Sequence, residues 1–363
     1  MVSRSRKRLG AGKMPAMNEQ NVPLVGGPLQ FAGAVSLDAN EQGVQPWRLR
    51  FREMELYEPP LRQLASVASG VRMTLVSNTR NMTVEIADQD PYKGRHDWTL
   101  DLLVDGKLHQ RITRPRQEAV YPFTGIPAGE HRLEVYLFQA GPMRIKRVAI
   151  DAKASAKPFH DERPKWIAYG SSLTHCAGAH GPSQTWPALV ANRFDLNLTC
   201  LGYGSNCQLE PVMAMMIRDL PADLMTLCVG INIWGKGSMD LRTYRAAVIG
   251  LVKIIREKHP TTPIALISTH PCFSSAEKVN KAEMTPLQMI EQTWHAFDAL
   301  RSYGDDNLFF VDGTDLIGAL PLGPLMPEDV HPSADGYVAL ADLISERVMP
   351  KIISTVGAAG IAG

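Results

Sequence analysis

The hydrophobic period changes once along this chain, and that change limits what it can fold into. From Trp47 to about Ile150 apolar residues alternate with polar ones, as in Val71, Met73 and Leu75, in Met82, Val84 and Ile86, and in Leu133, Val135 and Leu137. Trp47, Leu49 and Phe51 follow the same rule between arginines. A period of two marks strands with one face buried. Asp105-Gly106, between Leu102–Val104 and Leu108–Ile112, is a two-residue hairpin signal. Roughly seven to nine short strands of this kind form a β-sandwich or jelly roll.

Beyond residue 164 the pattern becomes α/β. Apolar runs at Lys165–Tyr169, Leu198–Leu201, Leu224–Cys228, Ile264–Ser268 and Leu308–Val311 have the length of buried parallel strands. Helical stretches separate them at Trp186–Phe194, Glu210–Asp219, Leu241–Lys258 and Pro286–Ser302, and Ala334–Met349 closes the series. Alternating elements of this kind predict an open three-layer α/β/α sheet, flavodoxin-like, preceded by the all-β module. In such sheets ligands bind beyond the carboxyl ends of the strands.

The expected divisions are a basic tail at 1–18, a β-sandwich at 19–150, a polar linker at 151–164 and the α/β domain at 165–363. Composition fits two soluble domains, with 363 residues, 45% hydrophobic and 21% charged. The formal net charge is +1, from 38 basic and 37 acidic residues. Arg4, Arg6, Lys7, Arg8 and Lys13 all lie in the tail, and removing those five leaves 33 basic against 37 acidic residues. A nucleic-acid partner is therefore not expected, and no apolar run approaches the roughly 20 residues of a membrane helix. The cysteines Cys176, Cys200, Cys207, Cys228 and Cys272 are odd in number and show no CxxC spacing. That pattern predicts buried thiols in a cytoplasmic protein, and no zinc on Cys176, His175 and His180.

The strand ends carry the chemistry. The first runs into Gly170-Ser171-Ser172-Leu173-Thr174, which places a hydroxyl at the sheet edge. The third ends in Gly230-Ile231-Asn232, and the loop before the last helix reads Glu328-Asp329-Val330-His331-Pro332-Ser333. Acyl transfer needs a hydroxyl nucleophile, a base to take its proton and donors for the tetrahedral oxyanion. These segments supply all three, and no G-x-S-x-G elbow is present. Trp234 offers a face for a sugar ring or a core contact, and His270, in Ser268-Thr269-His270-Pro271, a substrate contact or a structural turn. Asp312 reads as a loop cap.

GSSLT, LGYGSN, GIN and EDVHPS, in that order, resemble the four blocks of the SGNH (GDSL-type) hydrolases, over roughly residues 163–350. The resemblance makes Ser172 the nucleophile, with Ser171 replacing the usual Asp and standing as the alternative. It gives the oxyanion hole the N–H groups of Ser172 and of Ser205 or Gly204, with the side chain of Asn232. His331 is then the base, oriented by Glu328 in place of the usual Asp, with Asp329 as the competitor for that role and a Ser–His dyad as the further alternative. No cofactor and no metal is implied. A β-sandwich ahead of such a domain is similar to two-domain carbohydrate esterases, and Leu56-Tyr57 matches the Leu-Tyr signature of one bacterial group. The expected partner is a small acylated, foremost acetylated, saccharide or glycoside, with the module shaping one wall of the cleft. The rival activities are a lipase, thioesterase or acyltransferase on the same triad, or a non-catalytic carbohydrate-binding protein. A homo-oligomer stays open.

Overall fold

The structure, a computed structural model, describes residues 18–87, 97–115, 118–271, 274–328 and 330–359. Its first half is two antiparallel six-stranded sheets face to face. One runs Ser36–Asn40, Gly43–Trp47, Ile145–Asp151, Met82–Ile86, Val120–Phe123, with Glu19–Val22 also on Ile145–Asp151. The other runs Ala156–Lys157, Arg72–Ser77, His131–Tyr136, Trp98–Val104, Lys107–Arg114, with Gln30–Ala32 on Arg72–Ser77. The alternating residues of both, among them Met73, Leu75, Val84, Leu100 and Leu133, meet in one core. Asp105 (φ 49°) and Gly106 (φ 80°) make the hairpin turn with both central residues left-handed, as a strand-matched tight turn requires.

Two details depart from the sequence reading. The stretch 151–164 is not a free linker, because Asp151 ends a strand and Ala156–Lys157 adds another to the edge of the second sheet. Its polar composition reflects a position on the edge, with Ser155 held by Asn78 and Ser77. The alternation at Trp47–Phe51 is not one strand either. The strand stops at Trp47, and Phe51–Leu56 is a 3-10 helix followed by the helix Pro59–Ala65.

The second half is a five-stranded, all-parallel sheet in the order Asn197–Gly202, Lys165–Gly170, Leu224–Cys228, Ile264–Ile267, Leu308–Val311. Numbered along the chain the order is 2-1-3-4-5, which places a topological switch between the first and third strands. Helices Pro211–Asp219, Leu241–Arg256 and Pro286–Ser302 bury one face of the sheet, and Trp186–Arg193 and Ala334–Arg347 the other. The longest two begin with reciprocal capping boxes, Asp240 with Thr243 and Thr285 with Gln288, which fix where each helix starts. Among the described residues no helix is long and apolar enough to cross a membrane.

The two halves share a core. Leu49, Tyr57, Leu61 and Ala65 join Tyr203, Leu209 and Met213 in a single apolar cluster.

Candidate active site

Ser172 stands just past the first strand, at the first position of the short helix Ser172–His175. This turn is tight enough to require glycines. A Cβ on Gly170 would lie 2.3 Å from Thr174 Oγ1, and one on Gly202, its register partner, 2.3 Å from the His175 nitrogen. Ser171 is the helix cap: its buried Oγ accepts from the Leu173 N–H at 3.3 Å. The Ser172 hydroxyl instead lies 2.9 Å from His331 Nε2. His331 comes from the loop before the helix Ala334–Arg347.

The side expected to hold an oxyanion is built from one loop and the start of one helix. Tyr203 donates its N–H to the Gly170 carbonyl (2.8 Å), extending the pairing of the first two strands by one residue. Gly204 follows, close enough to Ser172 that a Cβ on it would meet the serine Cβ at 3.5 Å. Ser205 then takes a left-handed conformation, φ 59°, of the kind that favours glycine. Opposite, the Asn232 carbonyl oxygen accepts from the Cys207 N–H at 3.1 Å. That bond assigns the amide, since a backbone N–H needs an acceptor, and leaves Nδ2 as the end available to a substrate. Asn232 is buried, and Gly230 (φ 115°) makes the turn that starts its helix, Ile231–Lys236. Ser172, as a first helical residue, has an N–H with no carbonyl partner inside its own helix.

Ser172, Ser205, Asn232, Trp234 and His331 line one cleft of about 230 Å³, together with Ile231, Gly235, Lys236 and Val330. Of those last four, Ile231 and Val330 fall inside the quoted motifs without a role assigned there, and Gly235 and Lys236 lie outside them. A helix beginning at Ile231 would have shown two of them, since Gly235 and Lys236 fall three and four residues after Asn232, on its face. Trp234 packs partly into the core and donates Nε1–H to the Lys278 carbonyl at 3.3 Å.

The acid side is looser. Glu328 Oε2 is 3.5 Å from His331 Nδ1, longer than a well-formed N–H···O bond, and its side chain is 74% exposed. Asp329 lies outside the described residues, as do Cys272 and the basic tail to residue 17. His270 is fully buried and is not among the cleft-lining residues, so the structure gives it no place against a substrate. Asp312 caps its loop, accepting from the Thr314 N–H at 2.8 Å. Nor does the β module form a wall. Every described residue lining the cleft comes from the α/β domain, while the module's contacts fall on the edge strand Asn197–Gly202 and on residues 175–183.

Other titratable groups nearby are spent elsewhere. His175 Nε2 donates to the Gln139 carbonyl at 2.7 Å, and burial, with Arg48 close by, pushes its pKa down to about 3. His180 Nε2 lies 2.7 Å from Asp335. Cys176, Cys200, Cys207 and Cys228 are buried free thiols. Among the described residues no group of three His, Cys, Asp or Glu is placed to hold a metal ion.

A hydroxyl in contact with an imidazole, beside a buried amide and a turned-in loop, defines a serine hydrolase site of the SGNH kind. The family model for the GDSL-like lipase/acylhydrolase family matches residues 164–349, just over half the chain, and this protein belongs to that family. A second model, the N-terminal domain of SsfX3, matches residues 29–140. Among solved structures the salicylyl-acyltransferase SsfX3 from a tetracycline biosynthetic pathway superposes with a TM-score of 0.84 at 30% identity, covering 94% of this chain and 99% of that one. A GDSL-like lipase of Bacteroides ovatus follows at 0.76 and 19%, covering 93% and 98%. A family two carbohydrate esterase from Clostridium thermocellum, solved with cellohexaose, shares the fold at 0.58 and 14%, covering 89% and 98%. A search of curated protein sequences finds no match.

Proposed function

We propose that this protein is a serine esterase that removes short acyl groups, foremost acetyl, from a small saccharide or glycoside. The observation that carries the reading is the 2.9 Å contact between Ser172 Oγ and His331 Nε2 in a cleft of about 230 Å³ that also presents Asn232. His331 takes the hydroxyl proton as Ser172 Oγ attacks the ester carbonyl. Charge that develops on the carbonyl oxygen meets Asn232 Nδ2–H and the N–H groups of Ser172 and of Ser205 or Gly204. His331 then protonates the leaving alcohol. Water, activated by the same imidazole, releases the acid from the acyl-serine. A cleft of this size favours a short acyl chain, and the Trp234 ring on its wall offers a stacking face for a sugar. Four buried free thiols are in keeping with a reducing compartment.

Acyl transfer is the second reading, favoured by the likeness to an acyltransferase over nearly the whole chain. The two share every step up to the acyl-serine and differ only in whether water or an alcohol resolves it. Both are tested with p-nitrophenyl esters from acetate to octanoate, with and without acceptor alcohols, followed by product analysis. Acetate is expected to turn over best, with free acid as the product. A preference for octanoate would sink the deacylase reading, and ester product in the presence of an acceptor would establish transfer.

A further inference from the structure

The outer edge of the parallel sheet is Asn197–Gly202, which pairs only with Lys165–Gly170 within the sheet. An edge strand points alternate carbonyls away from its neighbour, and buried ones need donors. Here those carbonyls are Leu198, Cys200 and Gly202, and all three receive guanidinium N–H groups from the β module. Arg72 Nη1 donates to Leu198 O at 3.0 Å, and Arg48 Nη1 to Gly202 O at 2.6 Å and to Cys200 O at 3.4 Å. Arg48 is fully buried and is anchored on its own side by bonds to Val67 O (2.6 Å) and Leu64 O (2.7 Å). No carboxylate lies within ion-pair distance of it among the described residues, so its charge is answered by backbone carbonyls. The ring of Tyr203 lies under it at 4.9 Å, and Tyr203 Oη donates to the Arg48 carbonyl at 2.5 Å.

A buried cation without a counter-charge is a costly way to join two domains, and an apolar side chain would seal the interface at less cost. An apolar residue could not, however, grip the Gly202 carbonyl and the Tyr203 ring at once. Those two groups immediately precede Gly204 and the left-handed Ser205, a conformation that a non-glycine residue keeps only when its surroundings hold it. We propose that Arg48, supplied by the N-terminal module, is a positioning residue for the oxyanion hole, fixing the Tyr203–Ser205 loop over Ser172. This assignment rests on the esterase reading for its catalytic consequence, though not for its effect on the loop.

The test compares wild type with Arg48→Met and with the milder Tyr203→Phe, which deletes only the hydroxyl bond. In each folded variant kcat should fall, by about 10- to 100-fold for Arg48→Met, while KM changes less than about threefold. Affinity for a boronic acid that adds to Ser172 should weaken in parallel with kcat, which a general loss of folded protein would not produce. Amide exchange across 203–206 should quicken while exchange in Leu224–Cys228 is unchanged. If Arg48→Met does not fold, Arg48→Lys, which keeps a cation there but not the fork that reaches Gly202, Val67 and Leu64 together, decides, with the same directions and a smaller effect. Wild-type exchange across 203–206 in the folded variants overturns the proposal. So do wild-type kcat and boronate affinity in an active enzyme. A wild type with no Ser172-dependent hydrolysis would sink the esterase reading instead, and the exchange measurement would still judge Arg48.

Discussion

The two sides of the proposed catalytic site are built to different standards. On the oxyanion side Asn232 is buried with its carbonyl bonded to Cys207, and the Tyr203–Ser205 loop is tied to the first strand and to the β module. On the acid–base side His331 is 45% exposed, and Glu328, more exposed still, meets it at only 3.5 Å. The contrast teaches where the transition state gains its stabilisation. Asn232 is buried while Ser205 is exposed, so what this side offers is fixed geometry with little to reorganise, whereas a solvated carboxylate at long range is screened. Catalysis here should lean on the hydroxyl, the imidazole and the rigid donors, and little on the acid.

Removing the hydroxyl is the largest perturbation. Ser172→Ala should lower hydrolysis of p-nitrophenyl acetate by at least about 10³-fold, while Ser171→Ala, which removes only a cap, leaves most of the activity and costs about 1 kcal/mol of stability. Equal losses in both variants would mean that the nucleophile has been misassigned. Next comes Asn232→Ala, expected to cut kcat by about 10²–10³-fold with little change in KM. A loss confined to KM would place Asn232 in ground-state binding and dissolve the contrast between the two sides.

Much of this architecture is legible in the amino-acid sequence. Periods of two and runs of four or five residues locate most strands, and the strand-end rule leads to Ser172, Asn232 and His331. What escapes the pattern is the domain contact, for a physical reason. Alternation reports that one face of a strand is apolar, not what covers the other face. Asp101, Arg72 and Glu134 occupy polar positions of their strands yet are buried, because the α/β domain, the return of the chain or an arginine partner lies over them. Arg48 likewise looks like the wet side of an alternating stretch and is fully buried. The reach of Glu328 is equally hidden, since spacing of three residues fixes proximity along the loop but not its closure.

The buried side also carries a pH liability. His175, the last residue of the helix Ser172–His175, is held neutral, its pKa down at about 3 against an ordinary 6.5. An unfolded chain protonates this residue near pH 6.5 while the folded one does not. Its contribution to stability is therefore complete above pH 6.5 and is lost as pH falls towards 3, at about 1.4 kcal/mol per unit. Denaturant titrations at pH 7, 6, 5 and 4 should show this slope in wild type and a shallower one in His175→Gln. Parallel slopes in the two proteins would show that other groups govern acid sensitivity.

The smallest effect is expected where a classical triad would have one of its largest. Where a buried carboxylate holds the histidine by a short hydrogen bond, replacing it with the amide costs about 10⁴-fold in kcat, because the imidazole loses its orientation and tautomer. Glu328 makes no such bond: 3.5 Å from Nδ1 and mostly exposed, it has neither the geometry to fix the ring nor the dry surroundings to stabilise an imidazolium. Glu328→Gln should therefore lower kcat by less than about tenfold, and 0.5 M salt should reproduce much of that loss in wild type by screening. A fall of 10³-fold or more would mean that the loop closes on substrate binding and draws Glu328 onto Nδ1. The acid side would then be assembled by the substrate, and the difference between the two sides would be one of timing rather than of strength.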